Sequence, residues 1–254
     1  MRWWLYRKFI FQKKIFLEPT TLFSLMGISL GVAFLVVSMA GFSGFTKSLK
    51  SSIIDVSGDV NIFKRGSRIA EPEQVASEIR DAVPDLVDLL GFVQVEVLVA
   101  ANGKLGAVIL QGLPWDKAQD LPELKGRQVQ TIKPGEEGMG EPAFLGKVVA
   151  QTLKVKTGDS FKVILPRVSK SSATRVSPEV QTFYVHSILD FGKYDFNERW
   201  MIADQKPIQK LAKMGEKING FRIKLKDSDK AAGVAGRLQE VLGWDYSVRD
   251  WSMT

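Results

Sequence analysis

Residues 19–46 carry no charged side chain, and this limits the chain more than any other stretch does. They read Pro19-Thr-Thr-Leu-Phe-Ser-Leu-Met-Gly-Ile-Ser-Leu-Gly-Val-Ala-Phe-Leu-Val-Val-Ser-Met-Ala-Gly-Phe-Ser-Gly-Phe-Thr46. A helix needs roughly 20 mostly apolar residues to cross a bilayer core. Residues 19–46 meet that length, and no other segment does. Ahead of them stand Arg2, Arg7, Lys8, Lys13 and Lys14 against one acid, Glu18. The positive-inside bias therefore predicts a cytoplasmic N-terminus, with the residues after Lys47 delivered to the far side. A cleaved signal peptide is the rival reading, with Ser38-Met39-Ala40 as the cleavage site. Signal h-regions run about 7 to 15 residues, and this apolar stretch continues past Ala40 to Phe45, so an uncleaved helix is expected.

Residues 2–18 mix bases with Trp3, Trp4, Tyr6, Phe9, Phe11 and Phe16. Aromatic rings favour the headgroup zone, so this segment reads as a basic interfacial helix or a disordered basic flank. The whole chain of 254 residues has a net charge of +7. Most of that excess sits in the first 18 residues, and the remainder is nearly balanced. Nucleic acid is therefore a poor partner, whereas an anionic membrane surface suits the basic end.

Within the apolar stretch, Gly27 and Gly31 fit the small-xxx-small pattern that lets helix backbones approach closely in lipid. Met26, Leu30, Phe34 and Val37 are candidates by helical spacing for a face that packs or lines a cavity. Beyond Lys47 the helix continues outward to about Asp55, and Val60–Phe63 reads as a strand. Glu71-Pro72-Glu73 opens a helix whose Val75, Ile79 and Val83 recur every four residues. Phe92–Val99 and Ala107–Leu110 flank an Ala101-Asn102-Gly103 hairpin turn. A similar unit recurs near the end. Phe221, Ile223 and Leu225 alternate, and Asp227 or Asp229 caps a helix carrying Ala231, Val234, Ala235, Leu238, Val241 and Leu242. Gly243 closes that helix, and Asp245–Arg249 is extended. Two strand–helix–strand units at opposite ends predict one split α/β layer. The region between them, about Pro114–Phe191, is glycine-rich, with strands at Phe161–Leu165 and Thr182–Ile188 and a helix near Gly146–Leu153, as in a small β-rich insert. Its polar loop Pro166–Pro178 is a candidate interaction segment or a plain solvent-exposed connection.

Several chemistries are excluded. Cysteine is absent, so disulfides, thiol catalysis and thiolate metal sites are ruled out. His186 is the one histidine, which disfavours a histidine-based zinc site; it falls in a strand on the same face as Tyr184 and Ile188 and reads as structural or surface. Gly140-Glu-Pro-Ala-Phe-Leu-Gly146-Lys147-Val148 misses the phosphate-binding loop by one residue of spacing and lacks the magnesium-binding hydroxyl. Glu136-Glu137 and the Glu71/Glu73 pair have no ligand partners in sequence and read as solvated acids. Nothing argues for an enzyme or a bound cofactor in this chain.

These residues meet a known pattern. Ser24-Leu-Met-Gly-Ile-Ser-Leu-Gly-Val32 and Val37-Ser-Met-Ala-Gly-Phe42 resemble the first membrane helix of FtsX-like ABC transporter permeases, most closely the LolC/LolE lipoprotein-releasing branch. Phe144-Leu-Gly-Lys-Val-Val-Ala-Gln-Thr-Leu-Lys-Val-Lys-Thr-Gly-Asp159, Phe183–Tyr194 and Asn219-Gly-Phe-Arg-Ile-Lys-Leu-Lys-Asp227 are similar to further stretches of that family, in the same order. The resemblance implies an α+β fold. One N-terminal transmembrane helix would precede a MacB-like periplasmic domain with a split α/β "Porter" part and a β-rich "Sabre" insert. On this sequence the parts fall at 1–18 (basic interfacial), 19–46 (transmembrane), 47–113 with 192–254 (Porter-like) and 114–191 (Sabre-like).

The family has four membrane helices and this chain has one, so a truncated chain, a fragment or a split-gene product is expected. The resemblance further implies placement in the bacterial inner membrane, a cytoplasmic ABC ATPase subunit and a second permease subunit, alike or different. It also implies lipoprotein cargo and a periplasmic lipoprotein carrier. By position, the carrier-capturing hook loop would be Pro166–Pro178, with Pro166, Arg167, Val168, Lys170, Arg175, Val176 and Pro178 as its candidates. Its prolines fit the family pattern. Its interior, rich in Arg and Lys and poor in large apolar groups, departs from it. Alternatives are a MacB- or FtsX-like mechanotransmission permease with other cargo, and a membrane-anchored periplasmic scaffold.

Overall fold

The computed structural model describes residues 19–133, 135–166 and 178–253. The chain divides between Lys50 and Ser51 into two compact units.

Helix α1 (Pro19–Ser57) supplies the described part of the first unit, up to Lys50, and its last residues, 51–57, fall in the second. The absence of internal proline lets the helix run unbroken, and its uncharged Pro19–Thr46 stretch is long and apolar enough to cross a membrane. None of that stretch is buried within the chain. The Thr46 hydroxyl donates to the Phe42 carbonyl at 2.9 Å, a helical way of satisfying a polar group in apolar surroundings.

The second unit opens on β1 (Val60–Lys64), α2 (Pro72–Ala82), β2 (Leu86–Ala101) and β3 (Lys104–Leu113). Next come α3 (Trp115–Asp120), α4 (Pro122–Lys125), β4 (Gln128–Thr131), β5 (Glu141–Gly146) and α5 (Lys147–Leu153). Then follow β6 (Ser160–Leu165), β7 (Glu179–Leu189), α6 (Tyr194–Arg199), β8 (Trp200–Asp204) and α7 (Gln205–Leu211). It ends with β9 (Gly220–Leu225), α8 (Ala231–Leu242) and β10 (Tyr246–Asp250).

The two strand–helix–strand units interleave. Their strands run β10-β1-β9-β2, all neighbours antiparallel, as in a split βαβ fold. Helices α2 and α8 pack together beside this layer. Val75 and Ile79 of α2 are buried, each stabilising the core by roughly 1.5–3 kcal/mol. On α8, Ala231, Ala235, Leu238 and Leu242 form the buried stripe. Val241, grouped with them by sequence, is exposed instead, one position off that stripe. Asp227 caps a short 3-10 turn (Ser228–Lys230), accepting the Asp229 N–H at 3.0 Å, and α8 starts after it. Gly243 ends α8 at φ +73°.

Strand β2 is shared. Its first half pairs with β9, and its second half, Val93–Ala101, pairs with β3 through a turn in which Asn102 and Gly103 both take positive φ. That is the conformation an Asn-Gly two-residue hairpin prefers. The Asn102 amide also donates to the carbonyls of Leu153 and Lys154 at 3.2 and 3.0 Å, closing the C-terminus of α5. From β2 the pairings continue β3-β8-β5-β7-β6 and return to β2, closing a ring. A closed ring leaves none of its members with a bare edge. Strands from both sides of residues 114 and 191 enter it, because β2, β3 and β8 lie outside that interval and β5, β6 and β7 inside.

Two apolar clusters result. One includes Val60, Ile62, Leu110, Val163, Val185 and Met201. The other gathers Phe92, Leu113, Phe144, Phe191 and Ile202, with Trp115, Phe196 and Trp200 packed against it.

Candidate functional site

Three places are candidates for a functional role: the apolar helix, the hairpin that carries the Pro166–Pro178 loop, and the segment where the second unit's first and last strands meet.

On α1, Met26, Leu30, Phe34 and Val37 fall within about 80° of arc at 3.6 residues per turn, so they share one face. All four are exposed within this chain. Gly27 and Gly31 border that face, and among the described residues no heavy atom beyond the helix's own nearby backbone lies within 4 Å of where a Cβ would sit on either. Large apolar groups beside a bare backbone strip suit close helix–helix packing in lipid.

The loop leaves from an antiparallel stem. Strands β6 and β7 pair from Ser160↔Tyr184 to Leu165↔Glu179, which brings the exposed Pro166 and Pro178 side by side at one end of the ladder. The stem is braced, because β6 also pairs with β2 through Leu98↔Ile164. Phe161 and Phe183 stack within it at 6.2 Å. Glu179, at the stem's end, forms an ion pair with Lys213. Arg167, Val168, Lys170, Arg175 and Val176 lie outside the described residues.

The third place was not legible in the sequence. Gly58 directly follows α1 at φ +78°, and a Cβ there would stand 2.3 Å from the Arg222 Cγ. Asp59 is fully buried. Its carboxylate accepts the Leu225 N–H at 2.7 Å, its own N–H donates to the Ile223 carbonyl at 2.9 Å, and its carbonyl accepts the Trp251 N–H at 3.0 Å. One acid thus ties the start of β1, the end of β9 and the chain leaving β10. Asn61, Arg222 and Asp250 are the buried polar groups on the same three strands, and Asp250 accepts from both the N–H and the hydroxyl of Ser252. A Gly-Asp pair after a helix looks like a solvated turn, and only the fold shows the acid to be interior.

His186 is half-buried where the sequence places it, in β7, but it does not share a face with Ile188. The β5–β7 register shifts between Ala143↔Val185 and Phe144↔Ser187, so His186 sits in a bulge. Its ring meets Trp115 at 5.3 Å and Phe144 at 5.5 Å, both edge-on, while Ile188 packs in the other cluster. Burial pushes the imidazole below its ordinary value, against the opposing pull of the Glu137 carboxylate. The folded state then binds the proton later than the unfolded chain does. The stabilisation is complete above about pH 6.5 and falls as pH drops toward the lower folded value. The melting temperature is therefore expected to decline as pH falls below about 6.5, and His186→Phe to flatten that decline. A slope unchanged in the variant would remove His186 as its source.

Glu71, Glu73, Glu136 and Glu137 are exposed. Among the described residues, no group of His, Asp and Glu is arranged to hold a metal ion.

A family model for the MacB-like periplasmic core domain matches residues 21–241. The chain is similar to the lipoprotein-releasing system transmembrane protein LolC of Xylella fastidiosa, 26% identical over 241 residues, covering 93% of this chain and 56% of that protein. It is 22% identical over 245 residues to LolC of Neisseria meningitidis, covering 93% and 57%. The chain thus spans about half the length of the curated relatives it matches. Among solved structures, the periplasmic region of MacB from Actinobacillus actinomycetemcomitans aligns with a TM-score of 0.46 and 10% identity, covering 76% of this chain and 89% of that one.

Proposed function

Because the chain belongs to the MacB-like periplasmic core domain family, we propose that it is the first-helix and periplasmic portion of a permease subunit in an ABC complex of the bacterial inner membrane. The observation that carries this reading is the family match itself, which runs through both the apolar helix and the mixed α/β unit. In this reading the N-terminus is cytoplasmic and residues 51–254 are periplasmic, as the basic excess before Pro19 supports. ATP hydrolysis belongs to a separate cytoplasmic subunit, and a second permease subunit completes the membrane part. The exposed face of Met26, Leu30, Phe34 and Val37, with Gly27 and Gly31, packs against those further helices or lines the cavity between them.

The cargo is lipoprotein, released from the membrane for delivery to a periplasmic carrier. The similarity to LolC proteins supports this class. The β10-β1-β9-β2 layer with α2 and α8 belongs to the proposed Porter-like part, residues 47–113 with 192–254, and the strand ring draws β5, β6 and β7 from the proposed Sabre-like part, residues 114–191, and β2, β3 and β8 from the Porter-like one. The buried Asp59 ties the chain's entry into the layer to its exit, which suits a part that must move as one body when pulled.

The loop on the β6–β7 stem is the proposed carrier hook. Its basic, apolar-poor interior favours one other reading, a permease of the same mechanism with different cargo. Replacing residues 167–177 by a two-residue Asn-Gly turn tests the assignment. The stem is paired up to Leu165↔Glu179, so the melting temperature is expected to hold within about 2 °C while capture of the carrier in a pull-down is lost. Undiminished capture would refute the hook.

A further inference from the structure

We propose that the groove between α5 and the outer edge of β4 is a docking site for an extended acidic segment of a partner protein, which adds to β4 as a further strand. Strand β4 pairs with β7 along one edge, and among the described residues no strand pairs with its other edge. Beside it lies a groove of about 330 Å³. Ala150, Val155 and Ile188, all buried, supply its apolar floor. Lys147, Lys154 and Lys156 supply its charge, and no lining residue is acidic. The Lys147 ammonium is held 3.6 Å from Asp190, outside the groove, while Lys154 and Lys156 are exposed.

Lysines on an edge strand normally deter pairing. Here they stand across the groove, on α5 and the turn after it, while β4 itself reads Gln128-Val129-Gln130-Thr131 without charge. Val129 is exposed, lines the groove and stands at a register shift in the β4–β7 ladder, where it has no partner residue on β7. An uncharged free edge facing a helix is the geometry by which extended peptides are bound as an added strand. Main-chain hydrogen bonds supply affinity and alternate side chains enter the groove. The lysines select carboxylates at the rim, and the floor takes small apolar side chains between them. This inference does not depend on the transport reading.

The test uses the full chain in detergent and a fluorescent peptide of alternating glutamate and valine, followed by anisotropy at low salt. The acidic peptide is expected to bind, and its lysine–valine counterpart not to. Methylating alternate backbone nitrogens of the acidic peptide removes its strand donors and is expected to weaken binding about tenfold or more. The double variant Lys154→Glu/Lys156→Glu is expected to weaken it by a similar factor with melting unchanged. Absence of acidic-peptide binding, equal binding of the methylated peptide, or equal binding to the double variant would each overturn the proposal. Binding of glycerol phosphate where the peptide fails would reassign the groove to a lipid headgroup and overturn it equally.

Discussion

Gly58→Ala is expected to lower the melting temperature of the 51–254 unit by roughly 5–15 °C, or about 2–4 kcal/mol. Two terms combine. Gly58 has φ +78°, a region that a Cβ disfavours by roughly 1–2 kcal/mol. The added methyl would also meet the Arg222 Cγ at 2.3 Å, its Cδ at 2.9 Å and the Ile223 carbonyl at 3.1 Å. Arg222 is buried in a central strand, so its side chain has little room to withdraw. Nor can the backbone shift freely, because Asp59 next door is bonded to Ile223, Leu225 and Trp251. Gly66→Ala separates the two terms. Gly66 has a similar φ of +67°, but nothing lies within 4 Å of its would-be Cβ, so it carries the conformational term alone. The difference between the two variants reads the contact with Arg222. Equal effects would mean that the arginine gives way and that the junction is looser than its geometry implies.

The parts of the fold legible in the sequence are those with one exposed face or a strong turn signal. The apolar run of α1, the four-residue repeat of Val75 and Ile79, the Asn102-Gly103 hairpin and Gly243 after α8 each carry a local physical cause. They predict elements that the structure contains. The split α/β layer followed from the recurrence of one strand–helix–strand pattern at both ends. The ring did not. Its strands β5 and β8 are buried on both faces, so they show no alternation, and at five or six residues they are too short to stand out from the loops around them. His186 shows the same limit at the scale of one side chain. A bulge shifts the register by one residue and turns the ring from one cluster toward the other, and no period-2 reading can anticipate it. The loop candidates Pro166 and Pro178 were placed by position alone. The structure adds what position could not, a stem paired to its last residue beneath them.

The ring also makes the second large prediction, at Met201. Strand β8 stands directly between β3 and β5 in the ring, with Leu110 and Leu145 as the direct partners of Met201. Met201 is fully buried. Met201→Asp would place a carboxylate among Leu110, Leu145 and their neighbours in the apolar cluster, with no cation provided for it. An uncompensated buried charge destabilises by about 3–5 kcal/mol, a large part of the roughly 5–15 kcal/mol that holds a domain folded. The variant is therefore expected to lose cooperative thermal unfolding, or to melt at least about 10 °C lower. Met201→Leu nearly conserves volume and should stay within about 1.5 kcal/mol of the parent. Hydrogen exchange locates the damage. In Met201→Asp the amides of β3 and β5 should lose protection first, because both depend on β8, while those of β1 and β10 keep theirs longer. If Met201→Asp melted like the parent, Met201 would be facing solvent, and β8 would have to sit in another register or outside the ring altogether.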